Sequence, residues 1–142
     1  MKYPILPFVV LSVLLFSACS APVSKDSIRL EPAYSTSFMV NKPYQHVFAV
    51  LLKRSQACYL ERPTSRQQTL VGNRDNGKKT ANITLEYVYA MAGRDVILMV
   101  DIKAEQADKT RVNVYASRKD DVKKADIFEK WLDDPQKQQG CA

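Results

Sequence analysis

The fold class is decided by residues 69–89, which read TLVGNRDNGKKTANITLEYVY. Asn76-Gly77 stands in the middle of this stretch, and an Asn-Gly pair between two strand-like runs is the strongest short-range signal for a β-hairpin. After the pair, apolar and polar residues alternate, and the apolar ones are Ile83, Leu85, Tyr87 and Tyr89. This period of two predicts an antiparallel sheet with one covered face.

Three further alternating stretches extend the hairpin to five predicted strands. They cover residues 34–40, 96–103 and 111–116. In the second stretch, one predicted face carries Val96, Leu98, Val100 and Ile102, and the other carries Ile97, Met99, Asp101 and Lys103. Because the first half of this strand is apolar on both faces, we expect it in the middle of the sheet.

A helix is predicted between the first strand and the hairpin. Asn41 is the expected cap, Pro43 suits the first turn, and apolar residues then recur at spacings of three and four up to Cys58. This pattern places Cys58 at the end of the helix, on its buried face.

A second helix is predicted after the last strand. Asp120 and Asp121 are its expected caps, and Pro135 ends it. Its apolar stripe consists of Ala125, Phe128, Trp131 and Leu132. The order β-α-β-β-β-β-α predicts an α+β fold: a five-stranded antiparallel sheet with both helices on one face.

The N-terminus has the parts of a secretory leader. Lys2 is a basic start, an apolar stretch runs from Ile5 to Ala18, and the small residues Ser17-Ala18 precede Cys19. This arrangement resembles the lipobox of bacterial lipoprotein precursors, with Phe16 where that family usually has an aliphatic residue. The resemblance implies a diacylglyceryl group on the Cys19 thiol, cleavage before Cys19 and acylation of the new amino terminus.

The lipobox resemblance also implies a location in the cell and the bounds of three segments of the chain. In such lipoproteins Asp directly after the cysteine favours inner-membrane retention, whereas Ser20 implies transfer to the outer membrane, with the domain facing the periplasm. We therefore expect a signal peptide at 1–18, the lipidated cysteine and a flexible tether at 19–32, and a single α+β domain at 33–142.

Two other interpretations of the N-terminus are open. A transmembrane anchor needs about 20 apolar residues on a helix, and Pro4 and Pro7 fall in its first turns. An ordinary secretory peptide cut after Ala18 would leave Cys19 as a thiol, and three cysteines are an odd number for an oxidising compartment.

Cysteine usage favours the lipid interpretation. With Cys19 modified, Cys58 and Cys141 remain, and one disulfide between them is the expected state in the periplasm. The alternative is that both thiols stay free, because Cys141 stands one residue from the C-terminus, where chains fray.

The element order is similar to the helix-grip class, which includes START-like ligand-binding domains and, in smaller form, lipoproteins of the BamC type that accompany barrel assembly in the outer membrane. This resemblance implies either a protein-interaction module or a small binder of apolar ligands or lipids. In the second case Phe128 and Trp131 would line the space between the sheet and the last helix.

No residue pattern points to catalysis, a metal or a cofactor. His46 is the only histidine and is expected to be a partly exposed helix residue. Glu86 and Asp101 share the polar face of the sheet, where carboxylates are usually solvated, so an acid and base pair is not expected. The tyrosines near Lys103 and Arg111 could stack on nucleic acid, but export argues against nucleic acid as a partner.

Charge adds a weaker constraint. The chain has 21 Lys and Arg against 15 Asp and Glu, a formal net charge of +6. Spread along the chain, this excess fits a solvated surface, with attraction to anionic headgroups or lipopolysaccharide phosphates as the alternative. We expect a noncatalytic lipoprotein, anchored by the acyl chains on Cys19, that contacts another envelope protein during envelope assembly or maintenance.

Overall fold

The described part of the chain, residues 22–30, 34–60, 67–90, 93–134 and 141 of this computed structural model, confirms the predicted fold class. Its five strands form one antiparallel sheet in the spatial order β1-β5-β4-β3-β2. The strands are β1 (Tyr34–Val40), β2 (Gln67–Asp75), β3 (Thr80–Tyr89), β4 (Gly93–Gln106) and β5 (Lys109–Ala116). The predicted central strand, β4, lies in the middle of the sheet.

The Asn-Gly hairpin joins β2 to β3 as predicted. Asp75 is paired with Thr80, and residues 76–79 form the turn. The Asp75 carboxylate accepts a hydrogen bond from the backbone N–H of Lys78 (3.0 Å). Lys79 takes a positive φ of 53°, so the turn uses a left-handed position at lysine.

Four helices accompany the sheet in the described residues: α1 (Lys25–Leu30), α2 (Tyr44–Tyr59), α3 (Lys119–Val122) and α4 (Lys124–Asp133). The predicted pair, α2 and α4, packs on one face of the sheet and closes the main core. The largest fully buried side chains of that core include Trp131, Phe128, Leu51, Ile83 and Ile102.

The predicted helix caps are wrong. Pro43, in an extended conformation (φ −61°, ψ 144°), occupies the N-cap of α2, and no described side chain caps it. A proline disfavours helical geometry in the residue before it, so the helix cannot start at Asn41. Arg118 is the N-cap position of α3, so Asp120 and Asp121 lie in the first turn instead.

A bulge between β3 and β4 changes which side chains share a face. Leu85 pairs with Leu98, but Glu86 pairs with Val96, so Ile97 is the extra residue. Ile97 therefore joins Leu98 in the main core, and Val96 lies with Met99 on the opposite face. The predicted alternation is wrong at these two positions.

The predicted disulfide joins Cys58, at the buried end of α2, to Cys141, with 5.3 Å between their Cα atoms. The bridge closes most of the domain into one loop, with 83 residues of sequence separation. For a loop of that length the chain-entropy view gives a stabilisation of roughly 4 to 5 kcal/mol.

Candidate functional site

The second face of the sheet, here called the outer face, carries the candidate site. It lies opposite α2 and α4, and part of it is covered by residues 22–30, which we call the strap. These residues fall inside the predicted flexible tether. That expectation is wrong for residues 22–30, because they contain α1 and bury Ile28 against the sheet.

The strap begins beside β4, along the part of that strand that extends beyond the end of its neighbour β5. Ala116, the last residue of β5, pairs with Leu98, and the next residue, Ser117, donates from its backbone N–H to the Ile97 carbonyl (3.0 Å). Val23 occupies the next position along β4, where its carbonyl accepts a hydrogen bond from the Val96 N–H (2.9 Å). The Val23 N–H donates to Oδ1 of Asp95 (2.9 Å). The strap thus satisfies backbone groups that a sheet edge would leave unpaired.

Two serines start α1. The Ser27 N–H donates to Oγ of Ser24 (3.1 Å), and the Ser24 N–H donates to Oγ of Ser27 (2.8 Å). This is the reciprocal pattern of a capping box, with serine in the place of the usual Glu or Gln. Asp26 in the first turn and Arg29 in the last turn complement the helix dipole.

Ile28 is the apolar contact of the strap. It is 2% exposed and packs on Val96 and Met99, with Val23 and Tyr115 at the margin. Burial of an isoleucine side chain contributes about 2 kcal/mol. The neighbouring Leu30 is 82% exposed, so the strap is held by one face only.

Charged pairs flank Ile28 on both sides. The Glu86 side chain is 4% exposed and lies 3.3 Å from Nζ of Lys25 and 3.3 Å from Nη1 of Arg94. Arg29 donates from Nε and Nη2 to the two oxygens of Asp101, each at 2.8 Å. A buried carboxylate needs such partners, because an unpaired charge away from water is costly. The expectation that Glu86 and Asp101 are simply solvated is therefore wrong.

Two groups at the contact between the strap and the sheet have raised pKa values. The hydrogen bond to Asp101 raises the pKa of Arg29 above its ordinary value. Burial raises the pKa of Tyr115, and the negative charge of Asp101 raises it further. Both shifts favour the protonated forms that are present at neutral pH.

The predicted site residues fall in different places. Cys19 lies outside the described residues. Cys58 and Cys141 are joined, as predicted. Phe128 and Trp131 are 1% and 0% exposed, and their ring centroids are 5.4 Å apart within the main core.

Surface cavities lie elsewhere in the described part of the chain. One of about 350 Å³ lies beside Tyr44 and residues 104–107, and one of about 390 Å³ lies along α2 at Val50 and Ala57. A third, of about 270 Å³, lies on the outer face at Arg29 and Asp101. Phe128 and Trp131 are not among the described residues that line these three, so the ligand-binding alternative gains no support from them.

Other candidate chemistry is sparse in the residues that the structure describes. His46 is exposed on α2, as expected. Within the described ranges no three His, Cys, Asp or Glu side chains cluster as a metal site would require. Of the helices described there, none has the length and hydrophobicity to cross a bilayer.

No protein family and no curated protein sequence matches this chain. The site therefore has to be interpreted from its own residues.

The strap is the functional element that sequence reasoning missed, although one signal was present. Ser24 and Ser27 stand three residues apart, with Asp26 between them and Ile28 directly after. This spacing is typical of a helix start. A helix of six residues with only two apolar residues, Ile28 and Leu30, is too short to show a period, so its docking could not be predicted from the pattern.

Proposed function

We propose that this protein is an outer-membrane lipoprotein, anchored by acyl chains on Cys19, whose periplasmic domain acts without catalysis as a protein-interaction module. The proposal combines the lipobox at Phe16-Ser17-Ala18-Cys19 with the α+β domain that follows. Its role is in envelope assembly or maintenance.

The disulfide is the observation that carries the proposal. The chain has three cysteines, and the bridge engages Cys58 and Cys141. Stable disulfides belong to oxidising compartments such as the periplasm. The cysteine outside the bridge is Cys19, the one that stands where a lipoprotein precursor is acylated.

The outer face supports a noncatalytic role. Its buried carboxylate, Glu86, is engaged by Lys25 and Arg94, and Asp101 is engaged by Arg29. These charges hold the strap on the sheet. An acid or base for catalysis must exchange a proton with a substrate atom, whereas both of these carboxylates are held in ion pairs.

Acylation of Cys19 is the deciding test. Bacteria that express the full chain are grown with radiolabelled palmitate, and label is measured in the wild-type protein and in Cys19→Ser. We expect label in the wild-type membrane fraction and none in the variant. Two or three acyl chains, at about 0.8 kcal/mol per buried methylene, make attachment effectively permanent.

The matched control is the double variant Cys58→Ser, Cys141→Ser, which removes the other two cysteines and should keep the palmitate label. Unlabelled wild-type protein, or equal label in Cys19→Ser, would refute the anchor. Sucrose-gradient separation of the membranes then tests the address, and recovery with the inner membrane would contradict the outer-membrane assignment.

The interaction role is tested by crosslinking in intact cells. Photo-reactive residues replace Asn73 and Lys103 on the uncovered part of the outer face, and Gln56 on the exposed side of α2 serves as the comparison. A defined envelope partner recovered from specific positions supports the module, whereas identical background from all positions contradicts it.

A further inference from the structure

One end of the sheet lies beside the start of the strap, and we call it the proximal end. It is formed by the paired residues Tyr89 and Gly93, by Arg94, and by Arg118-Lys119 after β5. The hydrogen bonds of Val23 and Ser117 to adjacent residues of β4 bring the strap and residue 118 to this end together.

The length of chain before the strap limits how far this end can lie from the anchor. Cys19 precedes Val23 by four residues. Four peptide units span at most about 14 Å. Since Val23 is hydrogen-bonded to β4 at residues 95 and 96, acyl chains on Cys19 would enter a bilayer within that reach of Val23, beside the proximal end.

The side chains of the proximal end suit a headgroup layer. Tyr89 is 36% exposed, and the Arg94 side chain is 64% exposed. Arg118 and Lys119 are exposed and have no ion-pair partner among the described residues. Tyrosines are enriched at membrane interfaces, and basic side chains near an anionic leaflet are attracted to it.

Nearby acidic groups are already engaged by other partners. Asp95 accepts the hydrogen bond from Val23, and Glu86 lies between Lys25 and Arg94. Asp120 and Asp121 pair with Lys123 and Lys124. The charge of Lys119 also acts on Asp120. Residues 118–124 hold four basic and two acidic side chains, so a net charge of +2 remains for an external anion.

The opposite end of the sheet is far from this surface. β4 has 14 residues from Gly93 to Gln106. At about 3.3 Å per residue its two ends are roughly 40 Å apart. The turn at residues 76–79 lies at the far end, beside that at 107–108, so the two ends can be distinguished by a short-range probe.

We infer that the proximal end rests on the anionic phospholipid headgroups of the leaflet that holds the Cys19 acyl chains, with the far end directed away from the membrane. Tyr89, Arg94, Arg118 and Lys119 form the contact. The inference rests on the proposed function and adds an orientation to it: the strap is a short, docked link that fixes which surface meets the membrane.

The first test places a fluorophore at each end of the acylated full-length product. Tyr89→Trp and Gln106→Trp are reconstituted into vesicles of phosphatidylethanolamine and phosphatidylglycerol containing headgroup-labelled quencher lipid. The wild-type protein supplies the background of the buried Trp131. We expect quenching at position 89 at least several-fold above that at position 106. Equal quenching at both positions, or none at either, overturns the orientation.

The second test concerns charge. Arg118→Gln with Lys119→Gln is introduced into the Tyr89→Trp protein, and the matched control is Lys78→Gln with Lys103→Gln at the far end. One basic residue near an anionic surface changes the equilibrium constant for contact with that surface about fivefold, so the loss of two should lower it roughly 30-fold. Unchanged quenching in the Arg118 and Lys119 variant, or an equal loss in the control, overturns the headgroup contact.

The intact mass of each sample separates the two proposals. An unacylated Cys19 refutes the proposed function and removes the basis of the orientation. An acylated Cys19 with an unquenched Tyr89→Trp probe refutes the orientation alone.

Discussion

The two faces of the sheet are covered in different ways. The core face is closed by α2 and α4 through a continuous set of apolar side chains, with Trp131 and Leu132 fully buried. The outer face is covered in part by the strap, through one buried isoleucine and ion pairs at Lys25 and Arg29. One face of the sheet is therefore covered by an extensive apolar core under α2 and α4, and the other is covered by a strap that only a few contacts hold.

This difference shows that the core face stabilises the fold, whereas the outer face holds the segment that leads to the N-terminus. Burial of many apolar side chains fixes the fold, because transfer from water scales with area. A short segment with one anchor residue opens at a lower free energy than the domain unfolds. The strap can thus connect the domain to its N-terminus without being essential for folding.

The largest effect is expected on the core face. Trp131→Ala should lower the free energy of unfolding by about 3–5 kcal/mol, since it leaves a cavity where the side chain is 0% exposed. Urea unfolding followed by circular dichroism measures the loss, and Trp131→Phe should lose less. A loss below about 1 kcal/mol would show that α4 is not integral to the fold.

The next effect separates the strap from the core. Ile28→Ala removes the buried contact of the strap, and we expect its docking to weaken by about 2 kcal/mol. Hydrogen exchange of the Val96 amide, which donates to Val23, should then become roughly 30-fold faster, while amides in α2 change little.

Leu30→Ala is the matched control on the same helix, because Leu30 is 82% exposed. It should leave the exchange of Val96 unchanged. If Ile28→Ala accelerates exchange in α2 as strongly as at Val96, the strap and core form one cooperative unit and the comparison fails.

A smaller effect is expected from the ion pair. Arg29→Gln removes the two hydrogen bonds to Asp101. Because both side chains of this ion pair are partly exposed, we expect the docking of the strap to weaken by at most about 1 kcal/mol. The same Val96 exchange should show the effect at low salt and less of it at high salt. Lys103→Gln, on the same face, should show neither, and salt-independent loss would contradict an electrostatic role.

The smallest effect is a pH dependence beneath the strap. Because the pKa of Tyr115 is raised in the folded protein, the unfolded chain loses that proton first as the pH passes about 10. Stability present below that pH is then lost as the pH rises through the folded pKa. The free energy of unfolding, measured by urea denaturation at several pH values between about 9 and 11, should fall less steeply with pH for Tyr115→Phe than for the wild type. The same dependence on pH in both proteins would contradict the shift.

The success of sequence reasoning was confined to local or cumulative signals. The hairpin at Asn76-Gly77 needs only a few adjacent residues, and the stripe that ends in Cys58 repeats over a whole helix. The pairing of Cys58 with Cys141 followed from the number of cysteines once Cys19 was assigned to a lipid.

The failures share a different cause. The bulge that moves Val96 to the outer face exists only in the pairing of β3 with β4, so the alternation within β4 does not show it. The burial of Glu86 depends on Lys25, more than sixty positions earlier in the chain. Neither relation leaves a local trace, because each is a contact between distant segments.

The amino-acid sequence by itself determined the sheet and the two helices of the core, because hydrophobic periodicity and turn chemistry act over short distances. Only the tertiary structure decided that residues 22–30 dock on the sheet. A single isoleucine in a polar run becomes an anchor only when a complementary surface, here Val96 and Met99, is assembled beside it.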